Sequence, residues 1–123
     1  MIIGYARVSK IEQNINRQID ELNKVNCQRI YKEKITGAKK SRPELDKLLD
    51  NLRSGDTIVV SELTRFSRST KDLFQLVEQI EKKGANIKSL KESWVDTTTP
   101  QGKLMFTIMA GLSQFERDLI SQR

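Results

Sequence analysis

Apolar residues in this chain follow two alternating periods. Ile2 and Ile3 open a run through Val8 that reads as a buried strand. Ser9 and Glu12 then make a capping-box pattern, and Ile11, Ile15, Ile19, Leu22 and Val25 recur at spacings of four and three. That spacing predicts a helix from about Ile11 to Val25. Arg29 to Lys32 (RIYK) fits a second short strand, and the polar stretch 33–44 around Gly37 fits a loop. Ser41 with Glu44 repeats the capping pattern, Pro43 suits a first helical turn, and Leu45, Leu48, Leu49 and Leu52 supply an inward face. The β-branched run Thr57 to Ser61 predicts a central strand. A helix follows from Ser69 or Thr70 to Lys83, with Gly84 as its stop signal. Asn86 to Leu90 predicts a fourth strand, with a small edge strand near Trp94 and a long helix from about Gln101 to the last residue.

Strands alternating with helices predict an α/β fold: a mostly parallel central sheet of four to five strands, flanked by helices, with a long C-terminal helix. Residues 1–100 form the α/β unit and residues 101–123 the start of that helix. Leu104, Met105, Phe106, Ile108, Met109, Leu112, Phe115, Leu119 and Ile120 make a stripe too wide for one packing seam. The expected division is partly core, partly subunit contact. No stop signal precedes Arg123, so the helix is expected to continue in a longer parent protein.

Charge and composition narrow the chemistry. The 123 residues carry a net charge of +6, which favours a polyanionic partner, nucleic acid being the commonest. There is no histidine and a single cysteine, Cys27. These leave no internal disulfide and no Cys/His set for zinc. Acid–base chemistry must therefore fall to carboxylates, Tyr, Lys, Arg or the substrate itself, with no cofactor expected. No apolar run approaches the ~20 residues of a membrane span, and the N-terminus begins as a strand, not a signal peptide. The expected location is cytoplasmic.

Ligands of open parallel sheets bind outside the carboxyl ends of the strands. The first strand ends at Arg7, Val8 and Ser9. The second leads to Glu33, Thr36 and the basic loop with Lys39, Lys40 and Arg42, and the third to Glu62, Thr64, Arg65 and Arg68. One serine and several arginines thus reach a common rim from separate segments. Ser9 is also an ordinary helix cap, and Arg65 with Arg68 also an ordinary solvated pair. Together, a hydroxyl among several planar guanidinium forks suits attack on phosphorus, with the forks stabilising equatorial charge. The general base is not evident in the sequence. Lys39 and Lys40 suit contact with a phosphate backbone.

The segment YARVS at 5–9 with GDTIVVSELTRFSRS at 55–69 resembles the catalytic domain of the serine recombinases of the resolvase/invertase type. The resemblance extends through EQNINRQ at 12–18, TGAKKSRPE at 36–44 and TPQGKLMFTIMAGLSQFERDLISQR at 99–123. It implies site-specific recombination of double-stranded DNA in which Ser9 is the nucleophile, forming a 5′-phosphoserine link without ATP or metal. It implies active-site roles for Arg7, Arg42, Arg65 and Arg68, and supporting roles for Tyr5, Gln13, Gln18, Glu33, Thr36, Thr64, Glu116 and Arg123. It further implies a homodimer through the C-terminal helix, a tetramer in the synaptic complex, and a helix-turn-helix DNA-binding domain beyond this chain. Thr64, Glu33 and Thr36 stand where the family often has an acid, Asp and Ser. Two other readings accommodate parts of the sequence: a phosphate-binding signalling domain and a non-catalytic DNA-associated dimerisation module. The first lacks a nucleotide fingerprint, and the second leaves Ser9 and the arginines unexplained.

Overall fold

Four parallel strands run in the order β2-β1-β3-β4, where β1 is Ile2–Ser9, β2 Arg29–Ile35, β3 Thr57–Val60 and β4 Asn86–Ser89. The computed structural model describes residues 1–9, 15–35, 42–67 and 69–121, with the side chains of Ser9, Ile35 and Ser113 outside that description. The helices are α1 (Ile15–Lys24), α2 (Pro43–Asp50), α3 (Thr70–Lys82) and α4 (Pro100–Ser121), and a 3₁₀ turn spans Leu63–Arg65. The predicted α/β architecture is the observed one.

The chain leaves β1 in one direction to reach β2, then crosses back over β1 to β3 and β4. Right-handed crossovers in opposite directions place helices on opposite faces. Strand alternation matches this arrangement. Ile3, Tyr5, Tyr31, Ile58, Val60 and Ile87 face Leu45 and Leu48 of α2 and Leu73, Leu76, Val77 and Ile80 of α3. Ala6 and Val59 face Leu22 of α1, with Ile15, Ile19 and Ile30 around them. Gly4 lies on this second face, where a Cβ would stand 3.0 Å from Leu22 and 3.2 Å from both Cys27 and Ile30. The close seat of α1 depends on that missing side chain.

Local signals mark the ends of α3. The Ser69 hydroxyl accepts the Asp72 N–H at 3.1 Å, and Gly84 adopts φ +74° just past the last turn. Other expectations need correction. β2 continues three residues beyond Lys32, because Lys32 and Lys34 point outward while Glu33 turns in and is 2% exposed. α2 begins at Pro43 after Arg42, whose side chain gives no cap bond. The expected edge strand near Trp94 is one antiparallel bridge between Lys88 and Asp96. It stops there because the Thr97 hydroxyl accepts the Ile87 N–H at 2.9 Å, in place of a main-chain carbonyl. The Ser9–Glu12 cap and the start of the first predicted helix lie outside the described residues, as does Ser41.

α4 joins the rest of the domain near its start. The Thr99 hydroxyl accepts the Gly102 N–H at 3.0 Å, and a Cβ on Gly102 would lie 1.9 Å from the Asp96 carbonyl oxygen. Phe106 is buried edge-on to Phe74 (6.0 Å) and tilted against Trp94 (5.8 Å). Leu104, Met105, Ile108, Met109, Leu112, Phe115, Leu119 and Ile120 are all exposed. Of the predicted stripe, only Phe106 belongs to the core. No helix among the described residues is long and apolar enough to cross a membrane.

Candidate functional site

β1 outruns its neighbour β3 at the carboxyl end of the sheet. β3 ends at Val60, opposite Tyr5, whereas β1 continues through Arg7 to Ser9 with β2 alone beside it. The open side of that extension is closed by a side chain. The Gln18 amide accepts the Arg7 N–H at 3.0 Å and donates to the Arg7 carbonyl at 2.8 Å. It takes the place of the next residue of a strand that is not there, and it is itself 6% exposed. The backbone that presents Arg7 and leads to Ser9 is thereby fixed by α1.

Three arginines from distant segments converge on the turn that follows β3. The Arg7 guanidinium donates to the Thr64 carbonyl. Arg42, just before α2, donates from Nη1 to the Phe66 carbonyl at 2.9 Å and from Nη2 to Asp72 Oδ1 at 2.9 Å. Arg65 lies within the turn, its Nε 3.4 Å from Glu62 Oε1, while the other Glu62 oxygen accepts from Lys91 Nζ at 3.2 Å. Arg42 and Arg65 are largely covered, and the hydrogen-bonded pair with Asp72 holds the Arg42 guanidinium plane in a defined orientation. Beside the turn is an open cleft of about 720 Å³ between α1 and the segments after β3 and β4, lined in part by Gln18, Ser61, Glu62, Arg65 and Lys91.

Glu33 organises the opposite flank. Its buried carboxylate accepts the Tyr5 hydroxyl at 3.2 Å through Oε1, the Leu45 N–H at 3.3 Å through the same oxygen, and the Glu44 N–H at 3.2 Å through Oε2. Glu33 thus caps α2 from the end of the neighbouring strand and complements the positive end of its dipole. Arg42 is the residue just before this capped turn. Burial pushes the Tyr5 phenol well above its usual range, and the charge and hydrogen bond of Glu33 push the same way. The guanidinium charges of Arg7 and Arg42 pull it down. The net shift keeps Tyr5 protonated and a hydrogen-bond donor at neutral pH, a poor choice for a base. Its ring meets Phe66 edge-on at 6.2 Å and ties the phenol to the arginine-bearing turn.

Of the residues singled out in the sequence, Tyr5, Arg7, Gln18, Glu33, Arg42, Thr64 and Arg65 are brought together here. Thr64 takes part through its carbonyl, and its residue surface is exposed. Glu116 is exposed on α4, with no hydrogen bond or ion pair to the cluster among the described residues. The Ser9 side chain lies outside the described residues; its backbone ends β1 opposite Ile35. Gln13, Thr36, Lys39, Lys40, Arg68 and Arg123 also lie outside them. The sequence placed Glu62 on the rim without its ion pairs, and it did not mark Asp72 or Glu92. Asp72 had a local signal, its place in the first turn after Ser69, but its partner Arg42 is 30 positions away.

The family model for the resolvase N-terminal domain matches residues 2–123. A resolvase of Clostridium perfringens is 54% identical over 127 residues, covering 100% of this chain and 67% of that protein. The transposon Tn1546 resolvase of Enterococcus faecium is 48% identical, covering 98% of this chain and 64% of its own length. This chain therefore spans about two thirds of the length of these relatives. In structure it resembles a resolvase family site-specific recombinase from Streptococcus pneumoniae, with a TM-score of 0.73 at 18% identity, covering 98% of this chain and 89% of that one. At that identity the likeness concerns the fold.

Proposed function

Because the chain belongs to the resolvase family, we propose that it is the catalytic part of a site-specific DNA recombinase and that Ser9 is its nucleophile. Residues 1–100 make up the catalytic α/β unit, and residues 101–123 begin the helix that pairs subunits. The Ser9 Oγ bonds to a DNA phosphorus as the bond from phosphorus to the 3′ oxygen breaks. The serine proton is given up, the 3′ oxygen takes a proton, and the 5′ phosphate stays on the protein as an ester. Attack by a 3′ hydroxyl of the exchanged strand on that ester reverses the step, so rejoining needs neither ATP nor a metal ion.

One observation carries this reading: Arg7, Arg42 and Arg65 converge on one turn beside the strand end that leads to Ser9. Guanidinium forks at that place match the oxygens of a phosphodiester in pairs and stabilise charge as the transition state forms. Here Arg7 and Arg42 donate to main-chain carbonyls. A phosphate entering the site exchanges some of those bonds for ones in which the acceptor is charged as well, with two N–H groups of one fork meeting two oxygens. Arg68, with the supporting Gln13, Thr36 and Arg123, completes the proposed set, and Lys39 and Lys40 contact the DNA backbone. The exposed apolar side chains of α4 form the surface through which two copies pair. Two such dimers make the tetramer that four strand cuts require.

The test is chemical. The protein is incubated with duplex DNA carrying its site, denatured, and examined for protein attached to a 5′ end. The adduct should form and should vanish in Ser9→Ala. An adduct that persists in Ser9→Ala refutes the assignment.

A further inference from the structure

The turn that gathers the arginines has its own fastening. Leu63 opens it, and the Leu63 N–H donates to Glu92 Oε1 at 3.1 Å, across 29 positions of sequence. Glu62, the residue in place to cap the turn, gives no cap bond; its oxygens meet Arg65 and Lys91. The capping carboxylate comes instead from the segment after β4.

Glu92 is itself held in place. The Ser89 hydroxyl donates to the same Oε1 at 2.5 Å and accepts the Glu92 N–H at 3.3 Å, closing a small ring. Ser89 is 2% exposed at the end of β4, so the ring is rooted in the core. Main-chain bonds from Leu90 N–H to the Val60 carbonyl and from Lys91 N–H to the Ser61 carbonyl, both 3.0 Å, bring this segment alongside the entry to the turn. The Leu63 bond is the next fastening along that seam. Beyond it lie the Thr64 carbonyl that Arg7 binds, Arg65 itself, and the Phe66 carbonyl that Arg42 binds.

We propose that Glu92 is a positioning residue of the arginine cluster: its carboxylate fixes the height of the Leu63–Arg65 turn and, through it, the placement of all three guanidinium groups. This rests on the reading of the cluster as a phosphate site. Glu92 touches no substrate; it acts through Leu63. Both donors it accepts are neutral, so it contributes an oxygen in a fixed place more than it contributes a charge. A neutral amide of the same length fills that role.

The experiment compares Glu92→Ala, Glu92→Gln and Ser89→Ala with the parent protein by two readouts. The first is amide hydrogen exchange at Leu63, together with the Arg65 Nε–H resonance. The second is the single-turnover rate of covalent adduct formation at saturating DNA, with DNA affinity measured separately. In Glu92→Ala, Leu63 exchange should rise by about tenfold or more as the local bond is lost. Adduct formation should fall by about 10- to 100-fold at unchanged DNA affinity, since misplacement of about 1 Å is enough for that loss. Glu92→Gln should restore both readouts to within about threefold of the parent, because its amide oxygen accepts the same two bonds. Ser89→Ala, which leaves the carboxylate in place but loosens it, should fall between.

Unchanged Leu63 exchange in Glu92→Ala overturns the proposal. So does a Glu92→Gln protein that protects Leu63 yet forms adduct as slowly as the alanine variant, since the charge would then be what matters. If Glu92→Ala does not fold, Glu92→Gln and Ser89→Ala carry the same two comparisons. Should the parent itself form no adduct, the nucleophile reading fails, while Leu63 exchange and the Arg65 resonance still decide whether Glu92 sets the turn.

Discussion

Replacing Glu33 by glutamine keeps the shape of the side chain and changes what it offers. The native carboxylate receives three donors: the Tyr5 hydroxyl and the Leu45 and Glu44 amides. Glutamine has one acceptor oxygen. If that oxygen keeps Tyr5 and Leu45, its NH₂ group faces the Glu44 N–H, donor against donor. Leaving one such group unsatisfied in the interior costs about 1–3 kcal/mol. Losing the negative charge at the start of α2 removes about 0.3–2 kcal/mol more. The expected loss is about 1–5 kcal/mol, against the ~5–15 kcal/mol typical of a whole domain. Urea unfolding monitored through Trp94 measures it: the midpoint should drop while the slope stays constant, because the surface exposed on unfolding is unchanged.

The same variant has a second signature at high pH. Glu33 is among the causes that raise the Tyr5 pKa, so tyrosine titration by ultraviolet absorbance should move down in pH. The sign for stability follows from the raised folded value. Tyr5 contributes fully below its ordinary value of 10.0, and the contribution declines as the pH climbs through the range above it. That alkaline loss should be smaller in Glu33→Gln. A stability change under about 0.5 kcal/mol, with an unmoved tyrosine titration, would show that the three bonds do not act as described.

Two further expectations concern α4. Gly102→Ala should loosen the start of the helix, since its Cβ cannot coexist with the Asp96 carbonyl 1.9 Å away; the cost should be about 1–3 kcal/mol, seen as a lower thermal midpoint and altered Trp94 fluorescence. The double variant Leu112→Glu with Phe115→Glu should shift sedimentation equilibrium to monomer without lowering the thermal midpoint, because both residues are more than half exposed in the single chain, at 53% and 59%; a falling midpoint would assign them to the core.

The layered fold was legible because burial leaves a periodic trace. Ile58 and Val60 on one side of β3 with Val59 on the other, and Leu73, Leu76, Val77 and Ile80 along α3, are patterns that only certain elements produce. Ser69 and Gly84 marked helix ends through chemistry confined to one turn. What escaped was carried by long-range polar bonds. Glu33 reads as one more charge in a lysine-rich loop, and nothing in its neighbours says that it turns inward to cap a helix eleven positions on. Glu92 bonds to a residue 29 positions earlier, and Arg42 to one 30 positions later. The arginines themselves were legible as a group by motif, yet the motif does not tell that Arg7 and Arg42 grip the main chain around Arg65. Nor does the strong apolar stripe of α4 tell, by itself, which of its members lie inside.

The socket formed by Phe74, Trp94 and the Asp96 carbonyl makes α4 a lever pinned near one end. Fifteen residues separate Phe106 from Ser121, a reach of about 22 Å at helical rise. A tilt of roughly 10° at the socket swings the far tip by about 4 Å, most of the rise of one helical turn. Small repacking around a single aromatic ring is therefore magnified at the tip, where a second molecule would feel it first.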